Sequence, residues 1–268
     1  MTEKFAIAAI QMISGPEVGA NLETARRLIS QAASQGARLV ALPEYFPLIG
    51  ASDAERLATR ESDGEGSIQN FLSDIARQLG IWLVGGSLPL TAVDPAKLRN
   101  ACLVYGPDGK RVARYDKIHL FGFTRGTESY NESLTIEAGT DVVAFDSPFG
   151  RIGLAICYDL RFPEMFRALG AVDLLVVPAA FTETTGRAHW ELLLRCRAVE
   201  NQCYLLAAAQ GGEHPSGRIT HGNSMIIDPW GEVLARLDKG AGVAIAQIDA
   251  ARIAEVRASL PALQHRVM

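Results

Sequence analysis

Apolar and polar positions along this chain switch period repeatedly, between compact apolar runs that suit buried strands and stretches with helical spacing. Lys4–Gln11 reads as a strand. Asn21–Gln35 has helical spacing, with Asn21 placed as an N-cap and Gly36 as a stop. Leu39–Leu42 is a short apolar run that ends at Pro43-Glu44, Ser67–Leu79 is helix-like before Gly80, and Ile81–Val84 returns to strand. Ala101–Tyr105 and Arg111–Tyr115 flank Gly106-Pro107-Asp108-Gly109, whose turn chemistry predicts a hairpin. Ser224–Ile227 and Glu232–Leu237 form a second one around Asp228-Pro229-Trp230-Gly231. Between the hairpins, Ile152–Cys157, Leu174–Val177 and Tyr204–Ala209 read as strands and Ala188–Asn201 as a helix, while Pro163-Glu164 is suited to open one. Gly211–Gly217 reads as a flexible loop, Val243–Asp249 as a last strand and Ala250–Leu260 as a last helix.

The pattern echoes itself. Phe5–Gln11, a helix, and Arg38-Leu39-Val40-Ala41-Leu42-Pro43-Glu44 are matched by Arg151–Cys157, a helix, and Asp173-Leu174-Leu175-Val176-Val177-Pro178-Ala179. Each half then adds a helix, a strand and a hairpin, which predicts two similar half-units packed together rather than one Rossmann sheet. Strands this apolar are buried on both faces. Two sheets face to face with helices outside each satisfy that, so the expectation is α/β, with no linker dividing residues 1–268 and hence a single domain.

Composition narrows the function classes without choosing one. The chain has 268 residues, 48% hydrophobic and 21% charged, with a net charge of −4. That is a globular composition, and the charge argues against a broad nucleic-acid surface. No apolar run approaches the roughly 18 residues of a membrane span. The start, Met1-Thr2-Glu3-Lys4-Phe5, does not read as a secretory signal, which points to the cytoplasm and to reduced thiols at Cys102, Cys157, Cys196 and Cys203. No G-x-G-x-x-G, P-loop or H-E-x-x-H is present, and Cys196 with Cys203 fits no usual zinc spacing, so neither a cofactor nor a metal is expected.

Candidate chemistry gathers at three places. Cys157 ends an apolar run where the chain turns polar, and ligands of open α/β sheets bind at the carboxyl ends of strands. Glu44 follows another buried run, and Lys117 lies just past a hairpin strand between charged and apolar residues. Taken singly, each has an ordinary explanation: a small apolar core residue, a solvated carboxylate, a surface lysine. Taken together they supply what acyl transfer from an amide needs, namely a nucleophile, a base that returns its proton, and positive charge for the oxyanion.

In these segments the chain resembles the nitrilase superfamily of carbon–nitrogen hydrolases. The resemblance rests on Leu42-Pro43-Glu44, on Tyr115-Asp116-Lys117-Ile118-His119-Leu120, and on Ile156-Cys157-Tyr158-Asp159-Leu160-Arg161-Phe162-Pro163-Glu164, in that order. It continues through Ala179-Ala180-Phe181 and Thr185–Glu191 to Gly222-Asn223-Ser224-Met225 and Asp228-Pro229-Trp230-Gly231, nearly the whole chain. The resemblance implies a four-layer αββα sandwich of two mixed sheets with an internal pseudo-two-fold, in a dimer or higher oligomer. It implies Cys157 as nucleophile, Glu44 as general base and acid, and Lys117 with the Tyr158 backbone N–H as oxyanion holders. A second glutamate beside the lysine matches Glu132 best, with Glu128 and Glu137 near enough in sequence to compete.

Among the superfamily's branches the likeness is to the Nit amidases. It implies a small anionic keto-acid amide, with deaminated glutathione, cut to 2-oxoglutarate and cysteinylglycine, as the expected substrate. Omega-amidase action on 2-oxoglutaramate is the alternative. An anionic substrate calls for an arginine, and Arg161 is the candidate, against a competing ion pair with Asp159 or Glu164; Arg187 is a weaker one. By the same resemblance Phe181, Thr182 and Thr185 line the pocket. Tyr158 and Asp159 stand where true nitrilases carry tryptophan and glutamate, which disfavours nitrile hydrolysis. Two readings from other classes remain: a Cys–His hydrolase with His119, His189 or His221 as base, and a non-catalytic metabolite-binding or interaction protein on the same fold.

Overall fold

The computed structural model describes residues 4–50, 52–126 and 128–267. In chain order the first half runs β1 (Phe5–Gln11), α1 (Val18–Ser34), β2 (Ala37–Ala41), α2 (Asp53–Ala58), α3 (Ser67–Leu79), β3 (Trp82–Val84), β4 (Leu88–Thr91), β5 (Leu98–Tyr105), β6 (Arg111–Asp116), β7 (Gly122–Arg125) and β8 (Glu128–Asn131). The second half runs β9 (Ala144–Ser147), β10 (Gly150–Leu154), α4 (Pro163–Ala168), β11 (Leu174–Ala179), α5 (Glu183–Asn201), β12 (Tyr204–Ala209), β13 (Met225–Ile227), β14 (Val233–Arg236), β15 (Gly242–Ile248) and α6 (Ala250–Ser259).

One sheet has the order β15-β1-β2-β3-β5-β4, with β6 also on β5; the other runs β14-β13-β12-β11-β10-β9. The echo in the sequence is this symmetry. β1, β2 and β3 pair in parallel, as do β10, β11 and β12. Each parallel trio has an antiparallel strand on one side, β15 or β9, and an antiparallel hairpin on the other.

Alternation along β1 explains the layers. Phe5, Ile7 and Ala9 join Leu39 and Ala41 of β2 in packing against Leu154, Val176 and Leu206 of the second sheet. Ala8 and Ile10 point the other way, against Leu28 and Ile29 of α1 and Phe71, Leu72 and Ile75 of α3. In a strand successive side chains take opposite faces, so a wholly apolar strand needs a sheet on one side and helices on the other. Helices α4 and α5 pack through Met165, Phe166, Trp190, Leu194 and Ala198 on the second sheet, completing α, β, β and α layers.

Three expectations are corrected. The helix predicted from Asn21 starts earlier, at Val18, with Glu17 at the cap. Asn21 is instead a buried clamp between loops, exchanging hydrogen bonds with Gly15 and donating to Pro47 O at 2.8 Å. The loop 211–217 is pinned rather than loose: His214 is buried, with Nδ1 2.9 Å from Ser14 O and Nε2 2.8 Å from Thr220 Oγ1. The strand predicted over Ile152–Cys157 ends at Leu154, and the cysteine lies beyond it.

Candidate active site

Glu44 leaves β2 through Leu42-Pro43. Leu42 N still donates to Val84 O, and Pro43 O accepts from Ser87 N, so the segment is held along its neighbour. The approach is close enough to need Gly86: a Cβ there would lie 2.2 Å from Pro43 O. Glu44 is 1% exposed, and its Oε1 accepts from Asn100 Nδ2 at 3.0 Å and from Lys117 Nζ at 2.8 Å.

Lys117 follows β6 directly and is fully enclosed. Its backbone is gripped on both sides, its N donating to Asn100 O and its O accepting from Gly139 N. Gly139 has to be glycine, since a Cβ would meet Asp116 O at 2.2 Å. Glu132 arrives from a short turn after β8. Its Oε2 sits 2.8 Å from Lys117 Nζ and accepts from Phe121 N at 2.7 Å; its Oε1 accepts from Tyr45 OH at 2.7 Å. The other two glutamates go elsewhere, Glu128 to Thr184 and Glu137 to Arg99.

Cys157 opens a 3-10 helix, Cys157–Arg161, directly after the extended Ile156. Its φ is +50°, a left-handed conformation that costs a non-glycine residue about 1–3 kcal/mol and persists only where the surroundings impose it. Asp159 does the imposing. Its Oδ2 accepts from Ile156 N (2.8 Å) and Tyr115 OH (2.6 Å), and its Oδ1 accepts from His119 N (3.0 Å). Arg197 Nε adds a bond to Leu160 O at 3.1 Å. The sharp turn leaves Cys157 7% exposed at the cleft, with the Ala180 backbone N–H directed at its sulfur.

Charge around the three groups is unequal. Burial by itself lowers the Lys117 pKa, but the Glu132 and Glu44 carboxylates outweigh it and hold the ammonium well above the ordinary lysine value. Burial likewise raises Glu132, and Lys117, the Phe121 amide and Tyr45 bring it below the usual carboxylate range. Burial and then the Glu44 charge push the Cys157 thiol up, against the smaller pull of Lys117. The resting site therefore holds an ammonium, carboxylate at Glu132 and a protonated thiol.

Glu44, Glu132, Cys157, Tyr158, Arg161, Phe181, Thr182, Thr185, Phe121, Ala180 and Arg218 border one cleft of about 280 Å³. Lys117 lies buried behind the two glutamates, bonded to both. Arg161 faces it with no carboxylate partner among the described residues: Nη1 is 3.2 Å from His189 Nδ1, and the guanidinium lies over the rings of Phe181 and Tyr158. Asp159, the competing partner, is occupied by Tyr115, His119 and Ile156. Thr182 caps α5 by accepting from Thr185 N. Arg187 lies outside this cleft, in a groove with His189 and His221. None of the three candidate histidines borders the nucleophile: His119 is held on Asp159, His189 on Arg161 and His221 on Glu183. Among the described residues no group of three or more His, Cys, Asp or Glu is placed to hold a metal ion.

Sequence reasoning missed Asn100, Tyr45, Phe121 and Arg218. Asn100 had a signal, being a polar residue in an otherwise mostly apolar strand, β5. Arg218 had none, since it sits in a loop of ordinary composition.

A cysteine, an ammonium and two carboxylates at the carboxyl ends of strands in an αββα sandwich define an amide-cleaving enzyme of nitrilase type. The family described as Carbon-nitrogen hydrolase matches residues 6–258, and the chain belongs to it. It is 43% identical over 266 residues to the deaminated glutathione amidase of Synechocystis sp. (strain PCC 6803 / GT-S), covering 97% of each protein. It is 40% identical to the human omega-amidase NIT2, covering 98% of this chain and 95% of that one. The crystal structure of Saccharomyces cerevisiae Nit3, a member of branch 10 of the nitrilase superfamily, superposes with a TM-score of 0.88 at 30% identity, covering 99% of this chain and 97% of that one. The protein is thus a carbon–nitrogen hydrolase, an amidase.

Proposed function

We propose that this amidase cleaves the amide of an anionic keto acid, deaminated glutathione in the first instance, through a thioester on Cys157. The observation that carries the reading is the Lys117 ammonium held 2.8 Å from both Glu44 and Glu132, two carboxylates that border one cleft with Cys157. The thiol attacks the amide carbon while Glu44 takes its proton. Because burial and the Glu44 charge keep that proton on sulfur at rest, its removal accompanies attack. Lys117 and the Tyr158 backbone N–H hold the oxyanion. Collapse breaks the C–N bond, and Glu44 returns the proton to the departing amine. Water, deprotonated by Glu44, then attacks the thioester and releases the acid and the free thiol.

Arg161, without a carboxylate partner among the described residues and lying over the Phe181 ring, supports binding of the keto-acid carboxylate, with Phe181, Thr182 and Thr185 as the wall around it. The 43% identity to a deaminated glutathione amidase favours that substrate; the 40% identity to an omega-amidase keeps 2-oxoglutaramate as the second reading. Measuring kcat/KM for both on purified enzyme decides between them. A preference of tenfold or more for deaminated glutathione supports the proposal, and the reverse preference overturns it.

We propose further that two copies associate through the outer face of α5. Leu192, Val199 and Trp230 stand exposed there, around a shallow groove. A monomer mass in sedimentation at micromolar concentration would remove this. Among the described residues no helix is long and apolar enough to cross a membrane. A cytoplasmic site of action is part of the same proposal, to be checked by cell fractionation.

A further inference from the structure

Arg218 carries an observation that chemistry at Cys157 leaves unexplained. It comes from the loop between β12 and β13, and its Nη2 donates to Ala180 O at 3.1 Å. Its Nε is enclosed and has no hydrogen-bond partner. A buried donor left without an acceptor is costly, and native structures seldom keep one without a use for it.

The position suggests the use. Arg218 borders the nucleophile's cleft and also a second one of about 480 Å³, lined by Ser129, Tyr130, Asn131, Asp53 and Arg56. Phe121 and Glu132 border both, so the two adjoin. Arg161 borders only the first. The guanidinium of Arg218 lies over the Tyr130 ring, 5.5 Å from its centroid. Other charges of the second cleft are already engaged. Asp53 is paired with Arg56, and Glu132 is taken up by Lys117, Tyr45 and the Phe121 amide.

The two halves of an amide leave the reacting carbon in opposite directions. The amine half must lie toward Glu44, which returns its proton; Glu132, bonded to the same Lys117, borders both clefts. Glu132 and Phe121, shared by the two clefts, thus mark a route from the nucleophile's cleft past Tyr130 to Arg218.

We propose that Arg218 is a specificity-determining residue that takes a carboxylate on the leaving amine, so that the preferred substrate is acidic at both ends. Arg161 receives the acid of the acyl half, and Arg218 receives the free C-terminal carboxylate of an amino-acid or short-peptide amine. This rests on the keto-acid amidase reading above and adds to it the residue that recognises the leaving group.

The test uses two substrates with the same 2-oxoglutaryl acyl half. One has a cysteinylglycine leaving group with its free carboxylate; the other has the same dipeptide ending in a carboxamide. Wild-type enzyme should favour the acid by about 10- to 100-fold in kcat/KM, the range for a hydrogen bond to a charged group. In Arg218→Met that preference should collapse to near unity, and Arg218→Lys should restore part of it. A wild-type enzyme indifferent to the change, or an Arg218→Met enzyme that keeps the preference, overturns the inference. If Arg218→Met fails to fold, the wild-type pair and Arg218→Lys decide alone. Cleavage of 2-oxoglutaramate but of neither dipeptide amide would sink this inference and leave the amidase reading standing. Cleavage of no keto-acid amide would remove both.

Discussion

β1 and β10 hold matching places in the two sheets, each the first of a parallel trio with an antiparallel strand at its side, yet their carboxyl ends are put to opposite uses. Three residues past the end of β1 stands Ser14; three past the end of β10 stands Cys157. Ser14 is fully enclosed. Its Oγ donates to Phe46 O at 2.8 Å and accepts from Gln210 Nε2 at 2.8 Å, its N donates to Gln210 Oε1, and its O lies 2.9 Å from His214 Nδ1. Cys157 stands instead at a left-handed turn that opens it to a cleft. The lesson is that the repeated strand frame offers equivalent sites, and the partners around each decide whether it stabilises or reacts. One end is saturated with hydrogen bonds. The other keeps a group whose proton has somewhere to go only when substrate is present.

The contrast can be broken in order of expected effect. Cys157→Ala should abolish turnover, by a factor on the order of 10⁵–10⁶ as when other covalent nucleophiles are removed, while its melting temperature stays near wild type. Detectable turnover above a Cys157-independent blank, or a large fall in melting temperature, would assign the cysteine a structural part. Glu44→Gln should lower kcat by about 10²–10⁴-fold, the usual worth of a positioned base. A variant retaining most activity would point to another base. Ser14→Ala should do the reverse of Cys157→Ala. It leaves Gln210 and Phe46 short of a partner, costing about 1–3 kcal/mol, which thermal unfolding would read as a shift of several degrees with kcat changed far less than by the two preceding variants.

The smallest effect concerns pH. Burial holds the His214 pKa below the ordinary histidine value, so near and somewhat below pH 6.5 the unfolded chain binds a proton that the folded chain does not. Stability contributed by neutral His214 is thus present at neutral pH and declines as pH falls through that window. Wild-type melting temperature should drop between pH 7.5 and 5.5, and His214→Asn should flatten part of that drop at a cost in stability at pH 7.5. Equal slopes for the two proteins would discount the histidine.

Much of the site was legible because its groups mark strand ends. Glu44 follows a buried apolar run through a proline, and Lys117 follows a hairpin strand, so both could be picked out by place and charge. The extent of β12 was read as it stands, and so was that of α3, whose Gly80 cap has a φ of +63°. Cys157 was picked out on a strand pattern that is only partly right. Its apolar run predicts a strand to the sulfur, but β10 ends three residues earlier, and Asp159 fixes the turn by accepting from Ile156 N, Tyr115 OH and His119 N. Two of those partners, Tyr115 at the end of β6 and His119 just past it, lie some forty residues upstream, which no local pattern reports. Asn21 misled in a similar way: it has a cap residue's chemistry and a clamp's surroundings.

The sequence by itself determined the alternation of buried strands and helices, the doubled half-unit and the identity of the sulfur, carboxylate and ammonium, because period, turn chemistry and residue type are local properties. Only the tertiary structure decided which of three glutamates meets Lys117, that Arg161 is free of Asp159, and that Arg218 borders the nucleophile's cleft. Those choices depend on distances between segments that face each other only when the two sheets pack, and burial in that packing is what sets the charge each group carries.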